Sequence, residues 1–352
     1  MGKSIGIYNY ALNLFKALSA LPQRGFELHL TCNGGSFDDF DPQAADGCYR
    51  HRVLESATPT ALQRQCWMRW GAARTVRALG AEVYFTPKGF LPGWVGSPSG
   101  FRTVAVVHDL IPLWYATHQP GYFSFLERVL VNGGLVRAAR HADQLIAISQ
   151  ATADDIARTV GRDISTIDVI YNGVPPPRGA AQRPVTGRYL FAVASALPHK
   201  NLAGVLALYR RYRAMVSDPL PLVVCGGAEG LTAEGVTFVR GISDELLHAY
   251  YAHAEVFVFL SLIEGFGFPP LEAMQHGVPV LCSNIPSLRE VTAGAACLVS
   301  PSDPDEGARA LASLLTDPAE RRVLAERGRG MATRYSWDDC ARQVAEVLMR
   351  RG

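Results

Sequence analysis

Short runs of β-branched and aromatic residues alternate along this chain with longer stretches of helical spacing, and that alternation limits the fold more than any other feature. The runs FELHL (26–30), EVYF (82–85), TVAVV (103–107), QLIAI (144–148) and TIDVI (166–170) come first. After the Pro- and Gly-rich passage PPPRGAAQRPVTG (175–187) the rhythm restarts with YLFAVA (189–194), PLVVC (221–225), EVFVFL (255–260), PVLC (279–282) and ACLV (296–299). Strands joined by helical crossovers must run parallel, and a parallel sheet is covered on both faces. The expected fold class is therefore α/β, with two Rossmann-like, doubly wound parallel-sheet domains and a cleft between them. The expected boundaries are 1–176 for an N-terminal domain and 177–334 for a C-terminal domain. The segment 335–352 carries YSWDDCARQVAEVLMRR, with Asp338 and Asp339 early and arginines late, and is expected to be a terminal helix packing back toward the first domain. A length of 352 residues exceeds what one core usually serves.

Composition removes several classes of function. With 48% hydrophobic and 19% charged residues the chain reads as globular, and no apolar run approaches the ~20 residues of a membrane-spanning helix. The residues after Met1 lack the apolar core of a signal peptide, so a cytoplasmic location is expected. The 7 cysteines include no CxxC pair, which argues against a disulfide framework or a zinc cage. A net charge of +2 is too small to imply nucleic-acid binding. Charge is nevertheless uneven: Arg64, Arg69, Arg74 and Arg77 share the stretch 61–80 with Trp67, Met68 and Trp70 and with no acid. Two readings stand for that stretch: a helix lying on the cytoplasmic face of an inner membrane, or a solvated helix with its aromatics in the core.

The chemistry concentrates after the strand EVFVFL, in EGFGFPPLE (264–272). Prolines at a first helical turn and Gly277 past the end frame a short helix, LEAMQHG. Amides of the loop and first turn converge there with the positive end of the helix dipole, giving an anion site suited to a diphosphate. Gly265 and Gly267 allow a ligand close to the backbone. Glu264 and Glu272 flank the site, and carboxylates only accept hydrogen bonds, so such a pair suits the vicinal hydroxyls of two sugars. Without the surrounding glycines and prolines, Glu272 would be read as complementing the helix dipole and Glu264 as a solvated loop residue.

The segment EGFGFPPLEAMQHGVPVLCS, with two glutamates separated by seven intervening residues, resembles the signature of the family 4 retaining glycosyltransferases of the GT-B fold. The strand before it and the G-x-P-V strand after it agree, and the similarity extends over nearly the whole chain. The resemblance implies that Glu264 contacts the donor sugar, that Glu272 holds the ribose, and that the amides of Phe266, Gly267 and Phe268 face the sugar and diphosphate. In SALPHKNL (195–202), Lys200 stands where a cation can neutralise a departing diphosphate, while Ser195 occupies the position of a family arginine. His108, in VHDLIP, matches an N-domain segment in which the imidazole holds a donor-sugar hydroxyl, and Asp109 is expected to cap the next turn. Gly6, in the opening MGKSIGIYNYALNLFKAL, is placed where backbone meets diphosphate, although the apolar strand that precedes this loop in the family is missing from Met1–Ser4. Arg240 and Gly241 begin an element implied to border the base.

Other patterns carry less. Gly2-Lys3-Ser4 lacks the glycine and spacer of a P-loop. Asp39-Phe40-Asp41 and Asp303-Pro304-Asp305 lie in turn-rich stretches, and no His or Cys cluster has metal-ligand spacing, so no metal and no cofactor are expected. Together the GKS-x-G-x-x-x-Y opening, VHD and EGFGFPPLEAM feel closest to bacterial O-antigen and exopolysaccharide mannosyltransferases. The implied reaction is retaining transfer of a hexose, mannose from GDP-mannose first among candidates, to a lipid-linked glycan acceptor. A nucleotide-sugar 2-epimerase and an inactive sugar-binding protein share the architecture and stay open as alternatives.

Overall fold

The computed structural model describes residues 5–22, 25–33, 39–40, 47–54, 63, 67–91, 100–177 and 182–350. The chain divides into two units, Met1–Gly173 with Ser336–Gly352, and Val174–Tyr335. The division falls between Gly173 and Val174, ahead of the proline-rich passage, of which residues 178–181 lie outside the described residues. Among the described residues no helix is long and apolar enough to cross a membrane.

In the first unit, β1 (Leu28–Asn33) pairs in parallel with β2 (Cys48–Leu54) as a separate two-stranded sheet. A four-stranded parallel sheet follows in the order β3 (Val83–Thr86), β4 (Arg102–Val107), β5 (Gln144–Ala147), β6 (Ile167–Val169). Val104 to Val107 are fully buried at its centre, which explains why TVAVV reads as an uninterrupted apolar run. The predicted lack of a first strand, and the GKS tripeptide, fall on residues 1–4, outside the described residues; the described chain enters as the helix Ile5–Ala20. That helix buries Tyr10, Leu14, Phe15 and Leu18 and packs against the terminal helix Trp337–Met349. Gly173 accepts this arrangement because an added Cβ would stand 2.2 Å from the backbone N of Trp337. In the basic stretch, Arg64 lies outside the described residues, Trp67–Gly71 form a π-helical turn, and Trp70 is 55% exposed.

The second unit holds one six-stranded parallel sheet, ordered β12-β11-β10-β7-β8-β9. Its strands are β7 (Leu190–Ser195), β8 (Leu222–Gly227), β9 (Val236–Val239), β10 (Val256–Phe259), β11 (Val280–Ser283) and β12 (Cys297–Val299). The two faces bury different chemistry. Leu190, Ala192, Val256 and Val258 join an aliphatic core with Leu208 and Leu311 from the helices Leu202–Met215 and Pro304–Thr316. The alternate residues Phe191, Phe257 and Phe259 form an aromatic layer with Tyr250 and Tyr251 of the helix Asp244–Ala252. Both faces being covered, strand order reverses between β7 and β10, the point at which such sheets open a crevice beyond their carboxyl ends.

The terminal helix is secured at its end by Arg102, whose guanidinium donates to the carbonyls of Val347 (3.1 Å) and Leu348 and to Gln144 (2.6 Å). These bonds satisfy carbonyls that a helix end leaves without partners. Replacing Arg102 by Met should cost about 1–3 kcal/mol, read as a lower melting temperature together with faster hydrogen exchange at the last turn of Trp337–Met349; unchanged exchange there would overturn the assignment.

Candidate functional site

The loops beyond β7 and β10 are fastened together by one residue that the sequence reading passed over. Asn201 follows the 3-10 turn Pro198–Lys200 in a left-handed conformation (φ 52°). Its side-chain oxygen accepts from the amide of Gly204 at 3.1 Å and so caps the helix Leu202–Met215. Its side-chain nitrogen donates to the carbonyls of Leu260 and Pro301, each at 3.0 Å. The amide of Leu262 donates to the carbonyl of His199 at 2.8 Å, adding a backbone tie between the same two loops. Lys200 is thereby delivered to Glu264: Nζ donates to Oε1 at 2.6 Å and lies 5.6 Å from the centroid of the Phe259 ring. The lysine side chain is 24% exposed and the glutamate 10%, so the pair is largely sheltered but open to an approaching ligand.

After Glu264 the chain turns into the helix Phe268–Gln275 through Gly267, whose φ of 112° belongs to glycine; an added Cβ would also stand 2.4 Å from Leu288 Cδ2. Phe266 is 2% exposed, and its ring packs edge-on against Phe268 and Tyr335. A ligand at this loop therefore meets its backbone and not the Phe266 ring. Of the four groups at a helix N-terminus that lack an intrahelical acceptor, Pro269 and Pro270 have no N–H to offer. The amides of Gly267 and Phe268 remain, so the anion site is narrower than a full helical turn would provide.

Glu272 lies in the second turn of the same helix and is half-buried. Tyr251 donates its hydroxyl to Glu272 Oε2 at 2.9 Å. Burial raises the carboxyl pKa of Glu272, the bond from Tyr251 opposes that rise, and the charge of Asp244 adds to it. Beside Tyr251, His248 Nδ1 and His276 Nε2 approach to 2.8 Å, and burial, then His248 and His253, lower the pKa of His276 to about 4. At neutral pH that imidazole carries no charge.

The remaining predicted residues divide between the units. Ser195 ends β7, in register with Gly227 of β8; beside it, Gly226 has φ 126°, and an added Cβ there would meet the Ala194 carbonyl oxygen at 2.3 Å. Arg240 follows β9, donates to the Ala228 carbonyl and lies 5.5 Å from the centroid of the Phe238 ring. It bonds none of the other predicted residues. His108 and Gly6 belong to the first unit. His108 follows β4 directly with 8% exposure, and its Nε2 stands 2.7 Å from the Pro87 carbonyl oxygen. A carbonyl only accepts, so Nε2 carries the proton and Nδ1 is left as the acceptor of the neutral ring. Burial lowers its pKa to about 4, against the opposing Pro87 bond. Gly6 is exposed as the second residue of the helix Ile5–Ala20. Asp109 Oδ1 accepts from the amide of Ile111 at 2.9 Å, a turn-forming role. Asp303 accepts from the amides of Asp305 and Glu306 as a helix cap, while Asp41 of the other Asp-x-Asp triplet lies outside the described residues. Among the described residues no group of three His, Cys, Asp or Glu stands where it could hold a metal.

Two family models match consecutive parts of the chain: Glycosyltransferase Family 4 over residues 6–178 and Glycosyl transferases group 1 over residues 178–331. The O-antigen chain mannosyltransferase B of Escherichia coli is 27% identical over 378 residues, covering 96% of this chain and 94% of the relative. The serotype-specific mannosyltransferase WbdA of Escherichia coli is 28% identical over 278 residues, which cover 71% of this chain; this chain matches only 34% of the WbdA length. Among solved structures, Anabaena HepE in complex with UDP-glucose superposes with a TM-score of 0.71 at 17% identity, over 99% of this chain and 97% of that one. Two Rossmann-like parallel-sheet units, the fold likeness and the paired family matches converge, and the chain belongs to the family 4 glycosyltransferases of the GT-B fold.

Proposed function

We propose that this chain moves a hexose from a nucleotide diphosphate sugar to a hydroxyl of a lipid-linked glycan, with retention at the anomeric carbon and with GDP-mannose as the first candidate donor. The carrying observation is the sheltered Lys200–Glu264 pair, held beside a glycine loop whose Gly267 and Phe268 amides head a helix. Mannose and the surface-polysaccharide context are supported by the names of the Escherichia coli relatives.

In this reading the diphosphate bonds the Gly267 and Phe268 amides and the remaining N–H groups of Lys200, and Glu264 turns toward the sugar hydroxyls. Glu272 accepts from the ribose, and the neutral His108 accepts a hydroxyl proton of the transferred sugar at Nδ1. As the glycosidic C–O bond breaks, its electron pair stays on the diphosphate, where Lys200 and the two amides meet it. The acceptor hydroxyl attacks from the same face and gives up its proton to the departing phosphate oxygen. Leaving-group charge is met by these groups without a metal. Arg240 borders the base, Ser195 and Gly6 approach the diphosphate, and the exposed Trp70 contributes to a peripheral membrane contact.

Incubation with a panel of nucleotide sugars and a lipid-linked acceptor, followed by NMR of the product linkage, tests the reading. A product glycan with the donor's anomeric configuration supports it; epimerised donor, or thermal stabilisation without turnover, would replace it by one of the two alternatives. Lys200→Ala should lower kcat by about 10²–10³-fold with a smaller change in donor KM. Because burial raises the pKa of Glu272, nucleotide affinity should fall on acidification at a higher pH than for an ordinary glutamate, as measured by calorimetry across pH. Glu272→Gln removes the cost of an ionised carboxylate in a sheltered place, so its melting temperature should hold level or rise while nucleotide affinity drops.

A further inference from the structure

We propose that Tyr251 is the positioning residue of the donor site, holding the Glu272 carboxylate through Oε2 so that Oε1 is presented to the vicinal hydroxyls of the ribose. The proposal rests on the reading of Glu272 as the ribose partner and assigns its orientation to a side chain from a different helix.

Tyr251 is 1% exposed and closely packed. Phe191 and Phe257 meet its ring edge-on with centroids at 5.2 Å each, His248 stands at 6.5 Å, and the His276 ring lies nearly parallel at 6.2 Å. With the ring fixed, its hydroxyl has one place to point, and Glu272 Oε2 is there at 2.9 Å. A carboxylate offers two acceptor sites on each oxygen. Tyr251 takes one on Oε2, and no other hydrogen bond among the described residues engages Oε1. Two vicinal hydroxyls can then bond one carboxylate that is already oriented, which spares the ordering cost on binding.

Asp244 repels the ionised form of Glu272, burial disfavours it, and the nearby His276 is held neutral by burial and by His248 and His253, so it gives no compensating charge. The Tyr251 hydroxyl is the group that acts to keep the carboxylate ionised. A tyrosine present only to fill the aromatic layer would leave the ribose contact indifferent to the loss of its oxygen.

The test compares wild type, Tyr251→Phe and Glu272→Gln for binding of GDP and of its 2′,3′-dideoxy analogue across pH, by calorimetry, with UDP and dideoxy-UDP run alongside in case the wild type prefers uridine. The ratio of ribo to dideoxy affinity cancels any loss of folded protein, so a less stable variant still reports. Tyr251→Phe should lower that ratio roughly tenfold and move the acid loss of GDP affinity to higher pH, while dideoxy-GDP affinity changes little. If Glu272→Gln lowers the ratio and Tyr251→Phe leaves both the ratio and the pH profile unchanged, the positioning role is overturned. If Glu272→Gln itself leaves the ratio unchanged, the ribose assignment fails, and the Tyr251 proposal with it.

Discussion

The second unit of this protein is organised around the side-chain amide of Asn201. In a left-handed backbone position, which asparagine tolerates better than most residues, it caps one helix and reaches the carbonyls of Leu260 and Pro301. Three segments that leave the sheet separately, after β7, β10 and β12, are thus joined at one point. The segment after β7 carries Lys200 and the one after β10 carries Glu264, so the geometry of the ion pair follows from a side chain that hydrogen-bonds neither of theirs. Replacing the amide with an apolar group would leave two part-buried carbonyls without these donors and would release the lysine from its neighbour.

Much of this was legible in the sequence where burial is two-sided. EVFVFL reads as a strand because Val256 and Val258 serve the aliphatic core while Phe257 and Phe259 serve the aromatic layer. CYRHRVL gave no such signal: β2 belongs to a two-stranded sheet, and its arginines and histidine interrupt the apolar pattern although the backbone is extended and paired. The described strands of the first unit fall into two parallel sheets. At the site, Lys200, Glu264 and Glu272 could be picked out from local spacing. Their partners could not, because Lys200 and Glu264 are 64 residues apart and Tyr251 is 21 residues from Glu272. Tyr251 looks in sequence like an aromatic residue filling a helix face. Pro269 and Pro270 marked a helix start correctly, yet the same pair subtracts two N–H groups from the anion site that the helix start suggested.

In the proposed reading the aromatic layer serves folding and binding through the same atoms. Phe191, Phe257 and Tyr251 close one face of the sheet, and the single polar atom that Tyr251 brings into that layer reaches Glu272. A half-buried carboxylate beside Asp244 opposes stability when ionised, and the fold keeps it in place. Where local chemistry disagrees with the rest of a packed unit, function is the usual reason for the disagreement.

The Lys200–Glu264 pair also bears on how quickly an anion is captured. A lysine that already faces a carboxylate at 2.6 Å projects little field beyond the loop, because the two charges cancel at distances large compared with their separation. In the proposed reading, long-range steering of a diphosphate then falls to other cations, and the pair acts after contact, when the lysine exchanges one anionic partner for another. Encounter rates governed by this pair would depend weakly on ionic strength, and selectivity would be exercised at short range, where the ligand must displace a glutamate with its own hydroxyls ready to receive it.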